Sequence, residues 1–166
     1  MRKGQLISTD MLVAFVIFIL IADASIIMWQ SELSRAGDIE SRNFADEAAR
    51  SASNQLLTSG DPSNWNLIEL NESSFHSFGL TSSSNVVEWD KIEGLRQLKG
   101  DPAKYGMVKR ALGLEFCEVW LAVLYSNGTV IESFGEVAPQ GTPSVSIDRK
   151  AMLNSSPVTV RLEVWR

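Results

Sequence analysis

Few residues in this 166-residue chain have the types and spacing for chemistry. His76 is the only histidine and stands in a Ser-rich stretch, where it reads as a surface or loop residue. Cys117 is the only cysteine, so no intrachain disulfide can form. It lies in the apolar run LEFCEVWLAV and reads as a small core residue rather than a reactive thiol. No Ser-His-Asp or Cys-His arrangement, no Cys/His metal spacing and no Gly-rich phosphate loop occurs. The expectation is a chain with no catalysis to perform, no cofactor and no metal. What remains is chemistry done to the chain. Lys3-Gly4-Gln5 places a basic, a small and a polar residue just before a long apolar run, which suits a peptidase cutting between Gly4 and Gln5. Asp10 is an acid at the edge of that run. Asn71, Asn127 and Asn154 each open an N-x-[ST] sequon, the pattern of an N-glycan acceptor. Asn127, followed by Gly128, also has a plain reading as a hairpin-turn residue.

The segment that positions the first of these groups is residues 1–29, MRKGQLISTDMLVAFVIFILIADASIIMW. Apolar residues run from Met11 to Ala22, pause at Asp23 and resume to Trp29. A membrane-spanning helix needs about 20 mostly apolar residues, and residues 11–29 supply that with one charge. Arg2 and Lys3 before the run, with Glu32 and Asp38 after it, place the N-terminus in the cytoplasm and the rest of the chain outside.

Three fates compete for this segment. It is an uncut anchor, or an ordinary secretory signal cut after Ala22-Asp23-Ala24, or a precursor cut before the apolar run so that the helix is kept. Against the second, no helix breaker precedes Ala22, and a cut there leaves Ile26, Ile27 and Met28 exposed near a new N-terminus.

Residues 3–10, KGQLISTD, resemble the class III signal peptides of archaeal type IV pilin-like proteins. The resemblance implies that prepilin peptidase cuts just before Gln5, which becomes the first mature residue. It also implies an assembly role for an acid near the helix start, which pairs with a neighbouring subunit's free N-terminal amine. An unpaired charge is costly in low dielectric, so such a pair selects one axial register. The family usually carries this acid, mostly Glu, at the fifth residue after the cut. Here Thr9 holds that place and Asp10 follows it. The alternative reading of Asp10 is an acid favoured by the helix dipole.

Beyond Trp29 the helical pattern continues. Trp29, Leu33, Ala36, Ile39 or Glu40, and then Ala45, Ala48, Ala52 and Leu56 fall near a three-to-four spacing, opposite Glu32, Arg35, Asp38, Arg42, Asp46 and Arg50. No proline occurs before Pro62, and Gly37 is the one weak point. A helix from Gln5 to Thr58 would be ~80 Å long. Gly60 suits a left-handed C-cap and Pro62 stops the helix. Trp65 anchors the following turn on the head. Residues 67–88 read as polar loop with short extended pieces. Two short helices follow, over 91–98 capped by Asp90 and over 102–113 opened by Asp101-Pro102. Ile92, Leu95 and Leu98, and then Tyr105, Val108 and Leu112, form core stripes. Lys91, Arg96, Lys99, Lys104, Lys109 and Arg110 read as solvated. The last third reads as four antiparallel strands, over 114–125, 129–134, 145–152 and 158–165. In the last of them Trp165 falls on the outward face and is a candidate interface residue. Trp120 is expected to pack tightly.

The fold class expected is therefore α+β. A long N-terminal hydrophobic and amphipathic helix packs on a small antiparallel sheet with two short helices, as in type IV pilins. The division expected is a leader over 1–4, the helix over 5–58 with its membrane span at 11–29, and an extracytoplasmic head over 59–166. Removing Met1 to Gly4 lowers the formal charge from −5 to −7, which disfavours nucleic-acid binding. The resemblance implies a pilin or minor pilin-like subunit of a surface filament. Its partners would be prepilin peptidase, the pilus assembly machinery, the membrane as precursor, and copies of itself or other pilins. The alternative is a membrane-anchored extracytoplasmic binding module that does not polymerise.

Overall fold

The computed structural model describes residues 3–69 and 74–166, with the side chains of 3–8 and 33–42 left aside. The chain is mixed α and β and forms two compact units, residues 1–43 and 44–166. Helix α1 spans Lys3–Gln55, Gly37 included. Its 53 residues hold no proline, and Arg50 pairs with Asp46 one turn earlier at 2.8 Å. It ends three residues before the expected Thr58. Leu57 N donates to Asn54 O and Thr58 N to Gln55 O, so the last turn tightens to three-residue bonds.

Six strands follow: β1 (Thr81–Ser83), β2 (Val86–Val87), β3 (Glu118–Tyr125), β4 (Val130–Gly135), β5 (Ser144–Leu153) and β6 (Ser156–Trp165). Their order is β1-β2-β5-β6-β3-β4. All neighbouring pairs are antiparallel except β2 with β5. The four expected strands are present, and β1 and β2 extend the sheet beyond them. They arise in the polar stretch because Thr81 N is satisfied by Thr58 O, while Val87 is buried beside β5. β3 starts at Glu118 rather than Leu114. Leu114 N closes back on Lys109 O and Cys117 N on Leu114 O, so residues 114–117 are a turn.

Helix α2 spans Trp89–Leu98 and α3 spans Pro102–Ala111. Asp101 caps α3 by accepting from Ala103 N and Lys104 N. Asp90 is not a cap. It sits in the first turn of α2, whose N-cap residue is Glu88.

The core lies in the second unit. Ala49, Ala52 and Leu56 of α1 share it with Ile92, Leu95 and Leu98 of α2 and with Val119, Leu121, Val160 and Leu162 of the sheet. Polar ties join the same layers: Arg149 Nε to Ser53 Oγ at 3.1 Å and Gln55 Nε2 to Ala111 O at 2.6 Å. Trp65 is buried and its Nε1 donates to Gly79 O at 2.8 Å. Gly60, at φ +78°, is not the helix cap. It belongs to a close backbone crossing in which a Cβ on Gly79 would stand 2.2 Å from Thr58 O.

Four expectations about side chains are corrected, the first being Lys109, whose side chain is not solvated but 12% exposed and paired with Glu118. Lys91 is not solvated: it is 2% exposed and donates to Ser59 O and Thr81 O, both at 2.8 Å, beside the Glu88 carboxylate. Trp165 is buried although it lies on the outward face; β6 runs between β5 and β3, where Trp165 pairs with Ser144 and Glu118. Trp120, facing Gly135 and Glu163 on that same side, is only half-buried.

Candidate functional site

The feature that sets the first unit apart is an unpartnered apolar helix surface. Within α1, Thr9–Glu32 is 24 residues long, its most apolar 18-residue stretch has a mean hydropathy of 2.7, and none of that stretch is buried. Leu12, Phe15, Phe18, Leu20 and Ile27 are all exposed, and consecutive residues from Met11 to Ile21 are apolar on every side. A helix that is apolar all round belongs inside a bilayer or a bundle of other helices, since exposing its apolar area to water is unfavourable. Burying each large side chain is worth roughly 1.5–3 kcal/mol. By length and composition this segment can cross a membrane.

The Gly4–Gln5 bond falls in the first turn of α1, where backbone N–H groups have no partner within the helix. Asp10 lies two turns further on and is exposed. The dipole acts mainly on the first turn, and α1 has no acid there. Asp10 thus lies beyond the turn on which the dipole acts most strongly. Asp23 is exposed on the same helix. Of the sequons, Asn71 lies outside the described residues, and Asn127 and Asn154 stand exposed in the β3–β4 and β5–β6 turns.

The second unit carries a cleft of about 430 Å³ beside α3, lined by Lys99, Asp101, Tyr105, Glu118, Phe134 and Glu136 among others. Its polar groups are occupied with one another. Tyr105 Oη donates to Glu118 Oε2 at 2.7 Å and accepts from Val119 N at 3.0 Å. Lys109 Nζ donates to Glu118 Oε1 at 2.8 Å. Burial first, and then the Glu118 carboxylate, push the Tyr105 phenol up to about 12. The Lys109 ammonium holds Glu118 below the usual carboxylate range. A protonated phenol and a paired carboxylate are poor bases at neutral pH. Cys117 is buried, and burial pushes its thiol up. Among the described residues no group of three or more His, Cys, Asp or Glu is placed to hold a metal ion.

Two ionic clusters escaped the sequence reading: Tyr105–Glu118–Lys109, and Glu132 with Arg96 and Lys99. The second joins α2 to β4, 33 to 36 residues apart. The only local signal was an acid inside the apolar strand VIESFG. Comparison with family models, with curated proteins and with solved structures returns no match.

Proposed function

We propose that this chain is a structural subunit, a pilin or minor pilin-like protein, of a type IV pilus-like cell-surface filament. The observation that carries the reading is the exposed helical stretch over residues 11–21, apolar on every side, with KGQLISTD before it and a mixed α and β unit after it. The precursor sits in the cytoplasmic membrane, N-terminus inside and head outside. Prepilin peptidase cuts between Gly4 and Gln5 on the cytoplasmic face. The assembly machinery then moves the helix from lipid into a bundle of helices from other subunits. Lipid tails and helix side chains are equally apolar, so the transfer is close to balanced for the side chains and the register must come from elsewhere. Asp10 supplies it by pairing with the free amine of a neighbour's Gln5.

A Gly4→Val variant tests the processing step. The branched side chain obstructs the peptidase without altering the apolar run. Uncut protein should accumulate in the membrane and none should appear in material sheared from the cells. Filaments built from uncut Gly4→Val protein would contradict the reading. An anchored binding module that does not polymerise predicts that the wild-type chain also stays in the membrane with Met1 intact.

A further inference from the structure

The topology brings two sequons to one place. β3 and β5 both run antiparallel to β6, so they run parallel to each other. Each ends in a turn, 126–129 after β3 and 154–155 after β5, and both turns therefore stand at the same end of the sheet. Ser126 Oγ donates to Pro157 O at 2.9 Å and ties them together. Every residue over 125–130 and 154–157 is exposed.

The two turns differ in how they hold the acceptor. Asn154 and Ser155, at φ +48° and +65°, make a two-residue hairpin turn closed by the Leu153–Ser156 pair. Ser156, the third sequon residue, is thus already locked into β6. Asn127 sits in a wider loop, in which Gly128 takes φ +85° and Thr129 lies outside the strands. Its Oδ1 accepts from Thr129 N at 3.0 Å. That bond draws electron density toward the oxygen and eases loss of a proton from Nδ2.

We propose that Asn127 is the acceptor of an N-linked glycan and the preferred acceptor of these two. The donor is a lipid-linked sugar phosphate or pyrophosphate. The bond from sugar C1 to the phosphate oxygen breaks and its electron pair leaves with the phosphate. Asn127 Nδ2 forms the new C1–N bond, and its proton passes to a base of the transferase. The proposal rests only on the external placement of the head in the reading above. Its consequence is that this end of the sheet faces solvent in an assembled filament.

The test is glycopeptide mass spectrometry on full-length protein recovered from membranes and from sheared surface material of its own cells. Trypsin separates the sites, with Asn127 in the peptide 111–149 and Asn154 in 151–161. The glycan mass should appear on 111–149 at more than twice the occupancy of 151–161. Thr129→Ala should abolish it and Thr129→Ser restore it, although both keep the backbone bond to Asn127. An unmodified 111–149 peptide on protein cut at Gln5, with its head open to external protease, overturns the glycan proposal and leaves the filament reading standing. Glycan on protein that stays uncut and never reaches the sheared material supports the proposal and sinks the filament reading. A head closed to external protease overturns both. Glycan persisting in Thr129→Ala, or confined to Asn154, also overturns the proposal.

Discussion

Single residues in the head show how much weight a few buried polar groups carry. Lys91 bridges two backbone carbonyls, Ser59 O and Thr81 O, from segments that Thr81 N to Thr58 O and Thr81 Oγ1 to Leu57 O also join. Lys91→Met keeps the stem and removes the ammonium, leaving Ser59 O and Thr81 O unpaired. That should cost about 2–4 kcal/mol in denaturant unfolding of the full chain in detergent; a loss under about 0.5 would show that water replaces the ammonium. Tyr105 titrates in the opposite sense to a paired carboxylate. Its folded value, about 12, lies above the unfolded value, so its contribution is complete below the unfolded value and fades as pH rises through the folded one. Absorbance titration should show one tyrosine still protonated at pH 11. The carboxylates run the other way. Glu118, beside Lys109, and Asp148, in a two-point pair with Arg161, are held below the usual range. Their contribution is present above the unfolded value and is lost as pH falls through the folded one. Asp148→Asn should therefore flatten the acid limb of the stability curve without moving the alkaline limb.

At the scale of elements, the parts with a period were legible and the parts made by distant neighbours were not. α1, α2, α3 and the four long strands follow from spacing, from Asp101-Pro102 and from the turn residues Asn127-Gly128. β1 and β2 were legible only as short extended pieces in the 67–88 loop, because a three-residue and a two-residue strand have no period to place them and depend on Thr58 and β5 for their partners. Lys91 was misread for the same reason: its position in α2 looks solvated until the loop at Ser59 arrives. The burial of Trp165 depends on strand order, which the sequence of β6 alone does not contain. The crossing of Gly79 over the end of α1 makes an element-level prediction. Gly79→Ala puts a Cβ against the rigid backbone at Thr58, with no flexible side chain to move aside. A loss of roughly 2 kcal/mol or more is expected in the same unfolding assay; a neutral substitution would mean that the crossing is looser than its geometry.

For the whole molecule, the two units answer different demands. The second has its own core and satisfied polar groups, while the first offers a surface that water cannot accommodate. The candidate site at residues 3–10 is proposed from local sequence alone, which is what a peptidase would read and what a chain displays without folding. The filament reading makes Asp10 a matter of assembly rather than of folding. Asp10→Asn should leave unfolding of the head unchanged and reduce sheared filament at least tenfold, measured by immunoblot against total protein. The most direct measurement is the mature N-terminus of protein in sheared surface material, by mass spectrometry. A start at Gln5 with its amine free is the expected result; a pyroglutamate start would keep the processing step but remove the charge with which Asp10 is proposed to pair. A start at Ser25, or an intact Met1 in protein that never leaves the membrane, would contradict the assignment.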